Sequence, residues 1–171
     1  MSSTDKNLSQ FDKSTVPDAG AFRFGIVVAE WNSEITEALY NGAFSALTDC
    51  GAQKENIIRL NVPGSFELTA GAKFLVEHEK LHAVICLGCV IQGETRHFEF
   101  ICNAVSQGLT LLAVRFSIPF IFGVLTTDNQ QQAIDRAGGK HGNKGVEAAI
   151  TAIKMAALKT QLGKGREIGF R

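Results

Sequence analysis

Residues 93–97, Gly-Glu-Thr-Arg-His, place a phosphate-binding pattern next to a histidine. An apolar run precedes this segment at 83–91, and apolar residues at helical spacing follow it from His97 onward. A junction between a buried strand and a helix leaves backbone N–H groups unpaired at the positive end of the helix dipole, where an anion binds well. Thr95 adds a hydroxyl group, and His97 adds a side chain that carries a proton near neutral pH. The pattern therefore predicts a phosphate site and a proton-transfer group in one loop.

Four apolar runs predict strands, and helical patterns separate them. The runs cover residues 24–29, 57–62, 83–91 and 120–125. Between and after the runs, apolar residues recur every three or four positions, as on one face of a helix. We expect helices capped by Asn32 or Ser33, around 68–76, from His97, at 130–137 and around 146–157. This alternation predicts a three-layer α/β/α sandwich, in which a four-stranded parallel sheet carries helices on both faces.

The carboxyl ends of parallel strands meet at one edge of the sheet, and ligands bind there. The segments that follow the predicted strands are 30–32, 63–67, 92–97 and 126–128. Trp31 and Phe66, in the first two segments, could stack on a flat heterocycle while Glu67 accepts hydrogen bonds from its N–H groups. Alternatively, Phe66 belongs to the core and Glu67 only favours a helix N-terminus. Because aromatic and polar residues recur at the same edge, we favour a binding site.

Size and charge narrow the possible functions. The chain has 171 residues and a formal net charge of zero, so no global field attracts nucleic acid or an anionic membrane. The apolar stretch 111–125 contains Arg115 and Pro119, which argues against a membrane span. We expect a single domain at 21–162, a mobile N-terminal arm at 1–20, a polar tail at 163–171, and a cytoplasmic location.

Two cysteine and histidine motifs resemble reactive sites without the context that such sites need. Cys86 and Cys89 form a C-x-x-C inside a predicted strand, where residues three apart point to opposite faces, so we expect buried thiols and no disulfide. Residues 78–82 (HEKLH) match the H-E-x-x-H zinc signature, which requires both histidines on one helix. Because a buried strand is predicted from Ala83, the helix must end before His82, and we expect no metal site.

The predicted strands, the aromatic residues at the sheet edge and the phosphate loop occur in an order that resembles the lumazine synthases (6,7-dimethyl-8-ribityllumazine synthases) of riboflavin biosynthesis. The resemblance covers about residues 24–158. The segments that carry it, in order, are 31–32, 63–67, 88–100, 122–127 and 136–145. It implies a flavodoxin-like fold and a transferase that condenses 5-amino-6-(D-ribitylamino)uracil with 3,4-dihydroxy-2-butanone 4-phosphate. The family uses no metal or organic cofactor.

The resemblance also implies the residues that contact the two substrates. Those expected to hold the pyrimidine and the ribityl chain are Trp31, Ser65, Phe66, Glu67, Cys89, Val90 and Ile91. The N–H groups of Glu94 and Thr95, together with Arg136, are expected to hold the phosphate. Phe122, Arg136 and Lys144 are expected to reach the site from a neighbouring subunit.

His97 is the expected catalytic residue, and it would shuttle protons as imine formation, phosphate loss and ring closure proceed. Its place at a helix N-terminus disfavours the imidazolium ion and keeps a neutral base available near pH 7. The alternative is that His97 only caps the helix and has no part in the chemistry.

The resemblance implies a homo-oligomer, because family members form pentamers or hollow icosahedral shells of pentamers. The compact loop 138–143 is similar to that of shell-forming members, whereas Pro17 removes one donor from the strand that the arm would add to a neighbour. Riboflavin synthase is a possible partner. Two other functions stay open: a non-catalytic flavin or lumazine binder, and a structural shell protein. A binder has no need for a histidine beside a phosphate loop.

Overall fold

The structure, a computed structural model, describes residue 7 and residues 9–164. The described helices are α1 (Ser33–Asp49), α2 (Leu68–His78), α3 (His97–Phe116), α4 (Gln130–Arg136) and α5 (Lys144–Lys164). The described strands are β1 (Phe24–Ala29), β2 (Ile57–Val62), β3 (Ala83–Ile91), β4 (Phe120–Thr127), β5 (Ala137–Gly139) and β6 (Gly142–Asn143). Strands β1 to β4 form one parallel sheet in the order β2-β1-β3-β4. The predicted α/β architecture is confirmed.

The two central strands lie between two separate cores. Every residue of β1 is buried, and so are the first seven residues of β3, because helices cover both faces of the sheet. Alternate residues such as Ile26 and Ile85 pack against α1 and α5, whereas Val27 and Val84 pack against α2 and α3. A strand with two buried faces needs apolar residues at every position, which is why the sequence predicted the bounds of β1 and β3 well.

The cysteines occupy these two cores as predicted. Cys89 packs in the core on the α1 side and Cys86 in the core on the α2 side, so the sheet separates their thiols. All four cysteines are free. Burial raises the pKa of the Cys86 thiol and raises that of Cys89 to about 11. Both side chains therefore stay neutral near pH 7 and act as small apolar groups.

Two predicted element ends were wrong, those of β4 and α4. Strand β4 continues through Thr127 instead of ending at residue 125, because Thr126 and Thr127 pair with Val90 and Ile91 of β3. Helix α4 ends at Arg136, and Ala137 begins the antiparallel hairpin of β5 and β6, which the sequence suggested only as a glycine-rich loop. Gly138 and Gly142 take positive φ angles of 125° and 80°, which allow the chain to turn there.

The predicted arm and tail are described in part. Within the arm, Ala19 is buried and its N–H donates to the carbonyl of Cys50 at 2.8 Å, while the hydroxyl of Ser9 accepts from the N–H of Asn143 at 2.8 Å. Helix α5 includes the first two residues, 163 and 164, of the predicted tail. Residues 1–6, 8 and 165–171 lie outside the described residues. The mobility of the arm stays a prediction.

The H-E-x-x-H segment is not a continuous helix. Helix α2 ends at His78, and Glu79 already has extended backbone angles. The Nδ1 atom of His82 accepts a hydrogen bond of 2.9 Å from the N–H of Arg23, at the start of β1. His78 and His82 therefore do not share a helical face, which agrees with the prediction that the helix ends before His82. In the described part of the chain, no helix combines the length and apolarity needed to cross a membrane.

Candidate active site

A cavity of about 610 Å³ opens at the carboxyl edge of the sheet. Its walls come from the segments that follow β1 and β2, from the end of β3, and from the first turns of α3. The residues that line it are Trp31, Asn32, Gly64, Ser65, Phe66, Glu67, Cys89, Val90, Ile91, Gly93, Thr95, His97, Phe98 and Ile101. The fold thus brings together three of the four segments predicted to hold a ligand. The fourth, 126–128, does not line the cavity, and its first two residues belong to strand β4.

Two aromatic side chains stand at this cavity largely uncovered. Trp31 is 72% exposed and Phe66 is 55% exposed. The alternative that Phe66 belongs to the core is therefore wrong. Large apolar side chains left in water at a concave site are typical of a surface that a ligand or a partner covers. Both rings have the flat faces that stacking on a heterocycle requires.

Ser65 presents a hydroxyl group with an unused hydrogen-bonding capacity. The residue is 7% exposed, and no described residue bonds to its Oγ atom. It packs closely on β3, since a Cβ atom at Gly88 would stand 2.6 Å from Ser65 Oγ. Only glycine fits at position 88 without moving the serine. A buried hydroxyl without a partner is costly, and a ligand in the cavity can supply the missing bond.

The loop before α3 offers the features of an anion site. The hydroxyl of Thr95 accepts the N–H of His97 at 3.4 Å, and the carbonyl of Arg96 accepts the N–H of Glu99 at 3.1 Å. Among the described residues, none accepts a hydrogen bond from the N–H of Glu94 or Thr95. These donors stand at the N-terminus of a helix of 20 residues, where the helix dipole favours negative charge. His97 is exposed beside them and lines the cavity.

Four residues of the predicted site do not line this cavity. Glu94 lies in the same loop and is exposed, but it is not among the residues that line the cavity. Phe122 lies on the edge strand β4 and is 37% exposed. Arg136 is the last residue of α4 and donates to the carbonyl of Gln132 at 3.2 Å. The ammonium group of Lys144, at the start of α5, lies 2.6 Å from a carboxylate oxygen of Glu147.

Several residues of the cavity wall were not predicted as site residues from the sequence. Phe98 and Ile101 belong to the helical pattern predicted from His97 onward, and the structure places both in the cavity wall. Asn32 or Ser33 was predicted to cap α1, and Asn32 does stand at the N-cap position, but its side chain makes no capping bond. Instead its Nδ2 atom donates to the carbonyl of Cys89 at 3.0 Å. Sequence offered one signal for Asn32, its position directly after Trp31.

Fold and cavity together define a class: a three-layer parallel α/β protein with a small-molecule site at the carboxyl edge of its sheet, equipped for an anion and a flat ring. The family model described as 6,7-dimethyl-8-ribityllumazine synthase matches residues 21–160. The chain therefore belongs to the 6,7-dimethyl-8-ribityllumazine synthase family, which confirms the resemblance found in its sequence.

Curated relatives of that name cover nearly the whole chain. The protein of Cytophaga hutchinsonii is 64% identical, over 92% of this chain and 98% of its own length. That of Flavobacterium johnsoniae is 60% identical, over 94% of this chain and 85% of its own length. That of Parabacteroides distasonis is 57% identical, over 91% of this chain and 97% of its own length. Each carries the name 6,7-dimethyl-8-ribityllumazine synthase.

Proposed function

We propose that this protein condenses 5-amino-6-(D-ribitylamino)uracil with 3,4-dihydroxy-2-butanone 4-phosphate to give 6,7-dimethyl-8-ribityllumazine, the penultimate intermediate of riboflavin biosynthesis. The observation that carries the proposal is the joining, in one cavity, of two exposed aromatic rings and a loop of unpaired N–H groups that ends in His97. One half of such a cavity suits a pyrimidine and the other suits a phosphate ester. The name shared by the relatives supports the same reaction.

The uracil is proposed to bind at the side formed by Trp31 and Phe66. The two exposed rings cover its flat faces, which removes apolar surface from water. The hydroxyl of Ser65 supplies a hydrogen bond that no described residue uses, and the carboxylate of Glu67 accepts from N–H or hydroxyl groups. At the end of β3, Cys89, Val90 and Ile91 contribute backbone groups and packing.

The butanone phosphate is proposed to bind at the start of α3. The N–H groups of Glu94 and Thr95 and the Thr95 hydroxyl bind the phosphate oxygens, aided by the helix dipole. Arg136 of a neighbouring subunit adds a charge-assisted pair of hydrogen bonds. Phe122 and Lys144 are proposed to come from the same neighbour, since none of these three residues lines the cavity of its own subunit.

The chemistry consists of condensation and proton transfer. The 5-amino group attacks the ketone, and loss of water gives an imine. Removal of the C3 proton next to the imine drives out the phosphate from C4 and leaves an enol, which takes up a proton at C4 to become a ketone at C3. The ribitylamino nitrogen attacks this new carbonyl and closes the ring with loss of water. His97 is proposed to move these protons, a role typically worth ~10²–10⁴-fold in rate. Holding the two substrates together supplies much of the remaining acceleration.

The family assembles as homo-oligomers, and we propose a pentamer whose sites are completed between neighbours. The structure supports contact with other copies, because α2 and α3 expose large apolar side chains to solvent. The most exposed of these are Phe74 at 57%, Phe100 at 70%, Leu111 at 69% and Val114 at 78%. We further propose that pentamers build an icosahedral shell, that riboflavin synthase is a partner, and that the assembly works in the cytoplasm, where its four free thiols stay reduced.

The test is turnover by the purified protein supplied with both substrates, followed by the absorbance of the lumazine. We expect product only when both substrates are present, and we expect phosphate release in a one-to-one ratio with the lumazine. Tight binding of the lumazine or of riboflavin without any turnover would instead support the non-catalytic binder. Assembly without either binding or turnover would leave only the shell protein.

A further inference from the structure

Strand β3 extends beyond β1 at the cavity, and a side chain occupies the place of the missing strand. The register between the two strands ends at Val28 with Leu87, whereas β3 continues to Ile91. Past that point the carbonyl of Cys89 has no strand partner on the β1 side. The Nδ2 atom of Asn32 donates to this carbonyl at 3.0 Å, as a backbone N–H would in a continuing ladder.

Asn32 holds a backbone conformation that most residues avoid. Its φ of 61° and ψ of 46° are left-handed, and in the described chain only Ser117, with φ of 52°, is another non-glycine residue with positive φ. At a helix start, asparagine normally accepts hydrogen bonds from the first turn. Here its backbone carbonyl accepts from Ile35 and Thr36 at 2.9 and 3.1 Å, and the side chain is left for β3.

The same loop carries Trp31. This residue is 72% exposed, so packing alone does not fix the position of its ring. On one side, the N–H of Trp31 donates to the carbonyl of Pro63 at 3.1 Å, which ties the loop to the exit of β2. On the other side, the bond from Asn32 ties it to β3. The two ties span the central strand and fix where the tryptophan stands over the cavity.

We propose that Asn32 is a positioning residue, whose amide locks Trp31 and the carbonyl of Cys89 into the geometry that receives the pyrimidine. The inference rests on the proposed function only for the nature of the ligand. Asn32 itself need not touch the reacting atoms. Without its bond, the loop loses its tie to β3 and the ring samples more orientations, so that binding of the uracil must restore the lost order.

Three variants separate the hydrogen bond from the backbone conformation. Asn32→Gly removes the amide while favouring the left-handed backbone, and Asn32→Asp keeps the shape but replaces the donor by an acceptor that repels the Cys89 carbonyl. Ser117→Gly is the matched control, because it relaxes the other left-handed residue at the end of α3, before β4, on the edge of the sheet opposite the cavity.

Trp31 is the only tryptophan of the chain, so fluorescence reports on this loop alone. We expect time-resolved anisotropy to show greater motion of the ring in both Asn32 variants and none in Ser117→Gly. We also expect the KM for the ribitylaminouracil to rise about two- to tenfold, as for the loss of one net hydrogen bond, with the KM for the butanone phosphate unchanged. Circular dichroism and sedimentation should match those of the wild type.

Unchanged anisotropy in the Asn32 variants would overturn the proposal, as would an equal change in Ser117→Gly. Greater ring motion with an unchanged KM for the uracil, or with both KM values raised alike, would overturn the role in pyrimidine binding. If the wild-type protein makes no lumazine, the proposed function fails, and the anisotropy still decides whether Asn32 holds Trp31.

Discussion

The hydroxyl of Thr95 accepts a hydrogen bond from the backbone N–H of His97 at 3.4 Å, so the predicted phosphate contact and the predicted proton-transfer residue are linked within one turn. The bond uses the backbone of His97 and leaves its imidazole free to face the cavity. The loop therefore fixes the backbone from which the ring projects, and this hydrogen bond does not involve the ring itself. Replacing the ring should therefore change the chemistry without disturbing the phosphate site.

We expect His97→Ala to lower kcat by ~10²–10⁴-fold, the usual contribution of a general acid–base group. The KM values should change little, because the loop donors and the aromatic rings remain. Steady-state kinetics with both substrates measures this. His78→Ala, at the end of α2 and outside the cavity, is the matched control and should keep the wild-type rate. A wild-type rate in His97→Ala would remove His97 from the mechanism.

We expect Arg136→Ala to weaken binding of the butanone phosphate by ~1.5–3 kcal/mol, because a charge-assisted hydrogen bond to the phosphate is lost. Binding of the uracil should be nearly unaffected. The measurement is the KM for each substrate at saturation of the other. Lys140→Ala, an exposed cation in the neighbouring hairpin, should leave both values unchanged. Equal effects of Arg136→Ala on both substrates would contradict its assignment to the phosphate.

Mixing two impaired variants, assayed well below saturation by the butanone phosphate, tests whether the site is shared between subunits. If His97 and Arg136 of one site come from different chains, coexpressed His97→Ala and Arg136→Ala subunits should restore activity in about a quarter of the sites, by random assembly. Each variant alone should stay impaired. If both residues belonged to the same chain, mixing would restore nothing.

Acid should weaken one ion pair between α1 and β2. The guanidinium of Arg59 donates two hydrogen bonds to the carboxylate of Glu37 and lies 4.2 Å from the ring centre of Tyr40. These bonds hold the pKa of Glu37 below its ordinary value of 4.5, so the pair stabilises the fold fully above that value and loses its effect as pH falls through the lower, folded value.

We expect Glu37→Gln to lower the free energy of unfolding by ~0.2–1 kcal/mol at pH 7, since both side chains of the pair are partly exposed to solvent. The difference from the wild type should shrink as the pH falls below 4.5. Urea titrations at a series of pH values measure it. A difference that stayed constant down to pH 3 would show that the charge of Glu37 is not the cause.

The Cys89 thiol should resist alkylation although it lies at the cavity wall. With a pKa raised to about 11 by burial, roughly one molecule in a thousand carries the thiolate at pH 8. We expect labelling by iodoacetamide, mapped by peptide mass spectrometry, to be slow at pH 8 and to accelerate about tenfold per pH unit. Rapid labelling at pH 8 would show that the strand end opens in solution.

Sedimentation of the purified protein in phosphate buffer tests the assembly. We expect pentamers, gathered into much larger shells, because the apolar surfaces of α2 and α3 need cover. A monomer at micromolar concentration would contradict the shared site. An isolated pentamer would contradict only the shell.

The sequence by itself determined the central strands, the order of the elements and most of the cavity wall. Strands β1 and β3 are buried on both faces, so their apolar runs mark their ends, and parallel connection brings the segments after β1, β2 and β3 to one edge. The two exposed rings and the loop before α3 belong to these three segments, each of which follows directly on a strand. Their approximate positions follow from local pattern and topology alone.

Only the tertiary structure decided the end of β4 and the role of Asn32. Thr126 and Thr127 have polar side chains that predict a loop, yet pairing with β3 keeps them in the sheet. Asn32 suits a helix cap in any local interpretation, but its amide bonds to Cys89, 57 residues further along the chain. A hydrogen bond of this kind depends on where two distant segments meet, and no local periodicity encodes that distance. The predicted roles of Phe122, Arg136 and Lys144 depend on quaternary structure, because they require a second copy of the chain.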